Sequence, residues 1–524
     1  MVAISACLFP KWLPDLSKHG NNKTPCSLIF ERGKKMGTKT VRLIIAFMLL
    51  FSGALFAAKT TIKGYAPGAE NLEVRLYKWD DYISFREVLL AHTIVDSTGH
   101  FNFTLDVYDK QVIMGFFRIM DFTSPEIYIP ASKTYQLEFE KFDYKDPNRI
   151  YVPLLSSVSL KYTLKNNDST DINSLIGKYN YDMSNFLMKL SGMHEGMQAK
   201  SIMRPPKAKI DSFSTAMNAK YKSVNNDFFK IYYSYSIANL QLTTYAHSKK
   251  YLFDEFLYKR PIFYDNISYM DFFSNYFTDF IYGVSKKIPP FDIKLNVNIK
   301  TNLAGLIDSL GKDTLLRNEQ LREAVLLLNI RDWYTSITFE QDSLIKILRT
   351  YSKTTKFDLQ GRIAENLAFM LTRYKSGAML PKFEFKSIDD LVFTNDSLIN
   401  KYTYLVFFTT WSHACLSELK VIEQLQENWS DSIRFVAVSM DREPLKLYYF
   451  LQENKFSFPF YNFNGNYEVA EQLNIRTYPH CMLLGKDGSI INYCTPIPSE
   501  GVVELFEKVA GKKVVTTQGF KVGQ

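Results

Sequence analysis

The sequence predicts a multidomain chain: an N-terminal β-sandwich-like domain, an α-helical middle domain and a C-terminal α/β domain. Three patterns carry this expectation. Short alternating apolar segments separated by turn residues fill 59–146, helical periodicity fills 147–376, and continuous apolar strands alternating with helices fill 379–512. At 524 residues the chain exceeds one ordinary core, and a composition 46% hydrophobic and 15% aromatic can fill several.

Residues 1–58 read as a leader. They hold eight Lys/Arg and two acids, +6 of the net +9, so the rest of the chain carries only +3. That balance, with no basic stripe interleaved with aromatics, excludes a nucleic-acid partner. Leu43 to Ala58 is an apolar run of sixteen residues, preceded by Lys39 and Arg42 and ending in small residues. This is the pattern of a secretory signal peptide, and Met36 just before it is an alternative start. The run is short of the ~20 residues of a membrane span. The expected location is therefore the periplasm or cell envelope, with membrane association only through an uncleaved leader. No cysteine follows the run to accept a lipid.

In the first part, Thr60 to Tyr65, Leu72 to Lys78, His100 to Leu105 and Tyr135 to Phe139 read as strands of a small antiparallel domain, with Asp96 Ser97 Thr98 Gly99 as a turn. It is expected to be a spacer without a ligand. From Ile172 to Lys375 the apolar period is helical. Phe273, Tyr276, Phe277, Phe280 and Ile281 form one stripe, and Leu321, Ala324, Val325 and Leu328 another. Stripes of this kind are core far more often than they line a groove for peptide or glycan.

Ser376 Gly377 and Pro381 punctuate the passage to the last part. There Tyr404 to Thr409 and Arg434 to Ser439 read as buried strands, and Leu416 to Glu427, Lys446 to Asn454 and Val502 to Val509 as helices. Met482 to Leu484 and Ser489 to Tyr493 read as a hairpin across Lys486 Asp487 Gly488. Buried strands alternating with helices imply a sheet covered on both faces. Residues 513–524 are a tail.

The residues from Met379 to Gly511 resemble the thioredoxin-like family of bacterial envelope proteins, the TlpA and ResA type. The resemblance rests on Pro381 Lys382 Phe383 Glu384 Phe385, on the strand leading into Trp411 Ser412 His413 Ala414 Cys415, on Tyr478 Pro479 and on Lys486 Asp487 Gly488. It implies a thioredoxin fold, a cis-proline at Pro479 facing the redox motif, and a functional acid at Glu418, three residues after Cys415. The preceding β and helical parts resemble an N-terminal arrangement common in Bacteroidota. Against the family's Trp-Cys-x-x-Cys, this chain has Ser412 in place of the first cysteine, so the motif is degenerate, SxxC.

That replacement governs the expected chemistry, because disulfide exchange begins with an exposed thiolate and a serine hydroxyl cannot make the attack. The chain is expected to be related to thiol-disulfide oxidoreductases with ordinary dithiol activity lost. Three readings stay open. In the first, Cys415 works alone with Glu418, or in a Cys415–Cys481 disulfide. In the second, the fold is a non-catalytic module that binds a peptide or envelope protein through Trp411, Ser412, His413, Thr477, Tyr478 and Pro479. In the third, Ser412, Cys415 and Glu418 match a peroxiredoxin-like core, but Phe408 and Tyr478 stand where that pattern has its proline and arginine.

Ser412 also suits a helix N-cap, and Glu418 a solvated first-turn acid. His413, Cys415, His480 and Cys481 are metal-ligand types at a spacing of no metal motif, so neither metal nor cofactor is expected. Of five cysteines, Cys7 and Cys26 fall in the leader. The odd count left by Cys415, Cys481 and Cys494 leaves one thiol free or paired with another molecule.

Overall fold

The structure, a computed structural model, describes residues 57–511 apart from 147–148, 150, 156–158, 167 and 192–205. The leader up to Phe56, with nearly all of its apolar run, and the tail from 512 lie outside the described residues. Among the described residues no helix is long and apolar enough to cross a membrane.

Eight strands open the described chain: β1 (Ala57–Tyr65), β2 (Glu73–Trp79), β3 (Glu87–Ile94), β4 (His100–Tyr108), β5 (Val112–Ile119), β6 (Phe122–Pro130), β7 (Thr134–Phe139) and β8 (Tyr162–Leu164). They form two four-stranded sheets, β4-β1-β7-β8 and β3-β2-β5-β6. β4 alternates strictly, burying Phe101, Phe103, Leu105 and Val107. These side chains meet Val74, Leu76, Phe117 and Ile127 of the second sheet in one core.

Three sequence expectations need correction. The sheets are not wholly antiparallel, since β1 and β7 run parallel with Ile62 opposite Tyr135. The second sheet, built between them in sequence, supplies the long crossover that a parallel pair requires. The strands β3, β5 and β6 carry no clean alternation. In β5, Val112 and Met114 join the helical core while Phe117 and Ile119 join the two-sheet core. Pairing of β8 with β7 carries the strand region beyond residue 146.

The described residues between Ile172 and Thr372 are mostly helical and pack around one large apolar core that also takes in Tyr82, Ile83 and Tyr128 of the strand region. Asn226, Ser248, Asn266, Asn302 and Asn318 each cap a helix by accepting a backbone N–H. The first aromatic stripe is buried but divided. Phe273, Tyr276 and Phe277 belong to the helix Ile267–Phe277, whereas Phe280 and Ile281 open a π-helical turn, Phe280–Val284. Asp279, left-handed at φ 52°, separates the two.

The last part is a seven-stranded sheet. Its elements are β9 (Glu384–Lys386), β10 (Val392–Thr394), β11 (Tyr402–Phe408), α1 (His413–Trp429), β12 (Ile433–Ser439), α2 (Pro444–Glu453), β13 (Phe460–Asn462), α3 (Tyr467–Leu473), β14 (His480–Leu484), β15 (Ile490–Asn492) and α4 (Val502–Ala510). Strand order is β10-β9-β13-β12-β11-β14-β15. In β11, Tyr404, Val406 and Phe408 enter one core, and Leu405 and Phe407 enter another on the opposite face. A strand buried on both faces reads as a continuous apolar run.

The parts are closely joined, and from Ala57 onward the chain is one compact unit. β2 shows how. Val74 and Leu76 point into the two-sheet core, while Arg75 and Tyr77 reach Glu471 on α3. After the helices, Tyr374 stacks on Tyr493 with ring centroids 4.2 Å apart, and Ala378 and Gly377 hydrogen-bond Ile490 on β15.

Candidate functional site

Strand register decides which loops meet. Phe407 opposes His480 and Val406 opposes Cys481 across antiparallel β11 and β14. The loop after β11, with Trp411 and Ser412, therefore leaves the sheet at the same end as the loop before β14, with Thr477, Tyr478 and Pro479. β12 lies parallel to β11, Phe408 opposite Ser439, and brings Asp441 and Arg442 to that end. Open α/β sheets place their sites at such carboxyl ends.

Ser412 is the N-cap of α1, and its Oγ accepts the Cys415 backbone N–H at 3.3 Å. Three residues on, the helix turns Cys415 into the core with Leu419 and Ile422, leaving the thiol with no exposed surface. Burial pushes the Cys415 thiol up, against opposing hydrogen bonds with the Ser412 side chain and the Thr409 backbone. Glu418 is not a solvated first-turn acid. It is 8% exposed, and its two oxygens accept the Ser499 amide at 2.9 Å and the Ser499 hydroxyl at 2.6 Å. Those bonds tie α1 to the turn Pro498–Glu500.

His413 and Thr477 are exposed, and the Tyr478–Pro479 peptide is cis. Tyr478 is half-buried, packs against both cores of the sheet, and brings its hydroxyl near the Leu154 backbone without a bond of normal geometry. Neither Thr477 nor Tyr478 makes a backbone–backbone hydrogen bond among the described residues. Cys415, Cys481 and Cys494 are all free thiols; burial pushes Cys481 up to about 12, and Cys494 is exposed. Among the described residues no group of three or more His, Cys, Asp or Glu side chains could hold a metal ion.

The strand region, rather than the helical part, borders this end of the sheet. The Tyr151 ring meets Trp411 edge to face, centroids 6.0 Å apart at 82°. Arg442 donates to Asp121 at 2.8 Å and to the carbonyls of Arg149 and Val152 at 3.0 and 2.9 Å. Beside Trp411 lies a cavity of about 650 Å³, walled by Asp441, Arg442 and Tyr467 on one side and by Leu72 and Tyr144 on the other. Asp441 Oδ2 accepts the Thr410 amide and the Ser439 hydroxyl, but among the described residues Asp441 Oδ1 and Thr409 Oγ1 have no partner. Burial raises the Asp441 carboxyl above its ordinary range.

Sequence reasoning singled out none of Asp441, Arg442, Tyr144 or Tyr151. Asp441 and Arg442 were within reach, because they directly follow a buried parallel strand. Tyr144 and Tyr151 carry no sequence signal, since only the docking of the strand region brings them here.

Residues 400–490 match a family described as thioredoxin-like. The C-terminal part is thus a thioredoxin-like domain. The chain is similar to the thioredoxin domain of a thiol-disulfide oxidoreductase from Bacteroides vulgatus, at 18% identity over 26% of this chain and 94% of that one, TM-score 0.23. It is also similar to a thiol:disulfide interchange protein from Bacteroides sp., at 18% identity over 27% and 93%, TM-score 0.23. A thioredoxin-like protein from Porphyromonas gingivalis matches at 25% identity over 26% and 92%, TM-score 0.23. A comparison with curated proteins finds no match.

Proposed function

We propose that this is an exported thioredoxin-like protein of the TlpA and ResA type in which ordinary dithiol exchange is lost and the loop face binds an extended polypeptide segment of an envelope partner. The observation that carries this reading is the state of the motif. Ser412 serves as a helix cap, and Cys415, the one thiol left there, is fully buried with its ionisation disfavoured. No exposed nucleophile remains in the loop. A peroxidatic role needs an accessible thiolate too, and Cys415 does not supply it.

The binding features persist without the thiol. Thr477 and Tyr478 offer backbone groups that are unpaired among the described residues, to which an extended segment can add as a strand. Trp411 supplies an apolar wall, Ser412 and His413 polar contacts, and the adjoining cavity has room for a large side chain. The two-sheet N-terminal domain, read as a sandwich, forms the second wall of that cavity.

Fluorescence anisotropy with a panel of labelled extended peptides tests the reading. Trp411→Ala should weaken binding at least about tenfold, or ~1.4 kcal/mol, and Cys415→Ala should leave it within about twofold. Equal affinity for the wild type and Trp411→Ala would remove this surface from the binding function.

A further inference from the structure

The three most exposed large apolar side chains among the described residues share one patch of the helical part. They are Ile337, fully exposed, Ile299 at 76% and Phe291 at 72%. Exposed apolar residues scattered singly are ordinary, but the most exposed ones gathered in one place mark an interaction surface. Phe291 lies on the short helix Pro290–Lys294, and Ile299 ends the π-helical turn Leu295–Ile299 that continues it. Phe291, Leu295 and Ile299 are spaced by four residues, close to one turn of either helix, so they form a ridge roughly 12 Å long. Ile293, Asn296 and Val297, on the other side, are buried.

Ile337 stands in a turn closed by the Phe339 amide on the Ser336 carbonyl, and that turn is pinned to the ridge. Asn298, next to Ile299, donates to the Thr338 carbonyl at 2.9 Å and accepts the Glu340 amide at 3.0 Å. Tyr282 bridges the same two segments, its ring centroid 5.6 Å from the Lys294 ammonium and 5.3 Å from that of Phe339. Lysines rim the ridge. Residues 284–300 hold Lys286, Lys287, Lys294 and Lys300, all exposed, against one acid, Asp292, a net of +3 (4 − 1). Asp292 is paired with Lys312 at 2.6 Å, and the exposed Glu340 is the acid across Asn298.

We propose that this patch is a membrane-docking surface that inserts Phe291, Ile299 and Ile337 into the interface of an anionic phospholipid bilayer. Side chains that stand clear of the surface suit a lipid interface, where apolar groups sink below the headgroups while lysines stay level with them. Anionic headgroups neutralise the lysine rim, whereas a second copy would set two positive faces against each other. The surface is independent of polypeptide binding beside Trp411, and it is a route to the membrane additional to the apolar run of the leader.

The test adds full-length Ile337→Trp to vesicles of phosphatidylcholine and phosphatidylglycerol in equal amounts, the lipids carrying brominated acyl chains that quench tryptophan on contact. Quenching beyond that of the wild type reports entry at this position. A protein held by its leader alone would sediment with the vesicles yet keep the new indole away from the chains, so the readout separates the two routes. Excess quenching is expected on the mixed vesicles and not on phosphatidylcholine alone, and it should fall at least about twofold when Lys294→Glu and Lys300→Glu are added. All three positions are exposed, so the substitutions leave the core untouched. No excess over the wild type on the mixed vesicles, or an equal excess on both kinds, would overturn the proposal. A lipid-free dimer that Ile337→Glu converts to monomer would also overturn it, assigning the patch to a second copy.

Discussion

Arg75 on β2 and Glu471 on α3 face each other as a two-pronged ion pair, Nη2 to Oε1 at 3.0 Å and Nη1 to Oε2 at 3.1 Å. Tyr77 donates to the same carboxylate at 3.1 Å, and Arg118 approaches it at 3.3 Å. The Arg75 and Glu471 side chains are only 2% and 9% exposed. The strand region is thus fastened to the thioredoxin-like domain partly by buried charge, and Arg442 with Asp121 repeats the device beside the site. Such pairs add little net stability, because desolvation offsets much of the attraction.

The first prediction follows from that asymmetry. Glu471→Ala strands a buried guanidinium and should destabilise the protein by about 3–5 kcal/mol in urea unfolding. The double variant Arg75→Leu/Glu471→Leu removes both charges and should lose much less. Equal losses in the two would show that apolar packing, not uncompensated charge, sets the cost.

The second prediction concerns the cap. Ser412→Ala removes the acceptor for the Cys415 amide and should cost about 1 kcal/mol. Ser412→Cys rebuilds a two-thiol motif with the new group at a helix N-terminus, which favours the thiolate. It should reduce insulin disulfides measurably where the wild-type loop does not. An inert Ser412→Cys protein would mean that Tyr151 and its neighbours on Trp411 bar the substrate.

The strongest sequence signals were those in which each residue's environment is set by its own element. The continuous run from Tyr404 was legible because β11 is buried on both faces, and the Ser412 cap because an N-cap acts on its own helix. Short strands such as β9, β10 and β13 escaped notice, since three residues are too few to show a period. The site suffered most from long-range packing. Tyr144, Tyr151 and Arg149 reach Trp411 and Arg442 only through docking across hundreds of residues, and the burial of Glu418 depends on Ser499.

The third prediction uses Asp441. Its carboxyl titrates above the ordinary 3.8 chiefly because burial disfavours the charge, outweighing the bonds from Ser439 and Thr410. Ionisation therefore costs the folded state more than the unfolded one. The cost is absent below the unfolded value, grows as pH rises toward the folded one, and stays constant above it. Asp441→Asn should raise Tm at pH 7.5, with the gain shrinking toward pH 4. A gain that did not change with pH would place its origin in packing instead.

The fourth prediction has the opposite sign and comes from His480. This side chain is buried, 4.9 Å from the Tyr493 ring centroid, with Nε2 unpartnered, and burial holds its pKa below the ordinary 6.5 despite the Tyr493 backbone hydrogen bond. The fold accommodates the neutral imidazole, so the stability it permits is complete above the unfolded value. It is lost as pH falls below 6.5, where the unfolded chain takes up a proton that the folded chain resists. Wild-type Tm should therefore fall between pH 7 and pH 5, and His480→Phe, which keeps a ring against Phe407 and Tyr493, should flatten that part of the curve. Thermal melts of both proteins across that range decide the matter. Parallel curves would assign the acid sensitivity to other groups and show that solvent reaches the His480 ring.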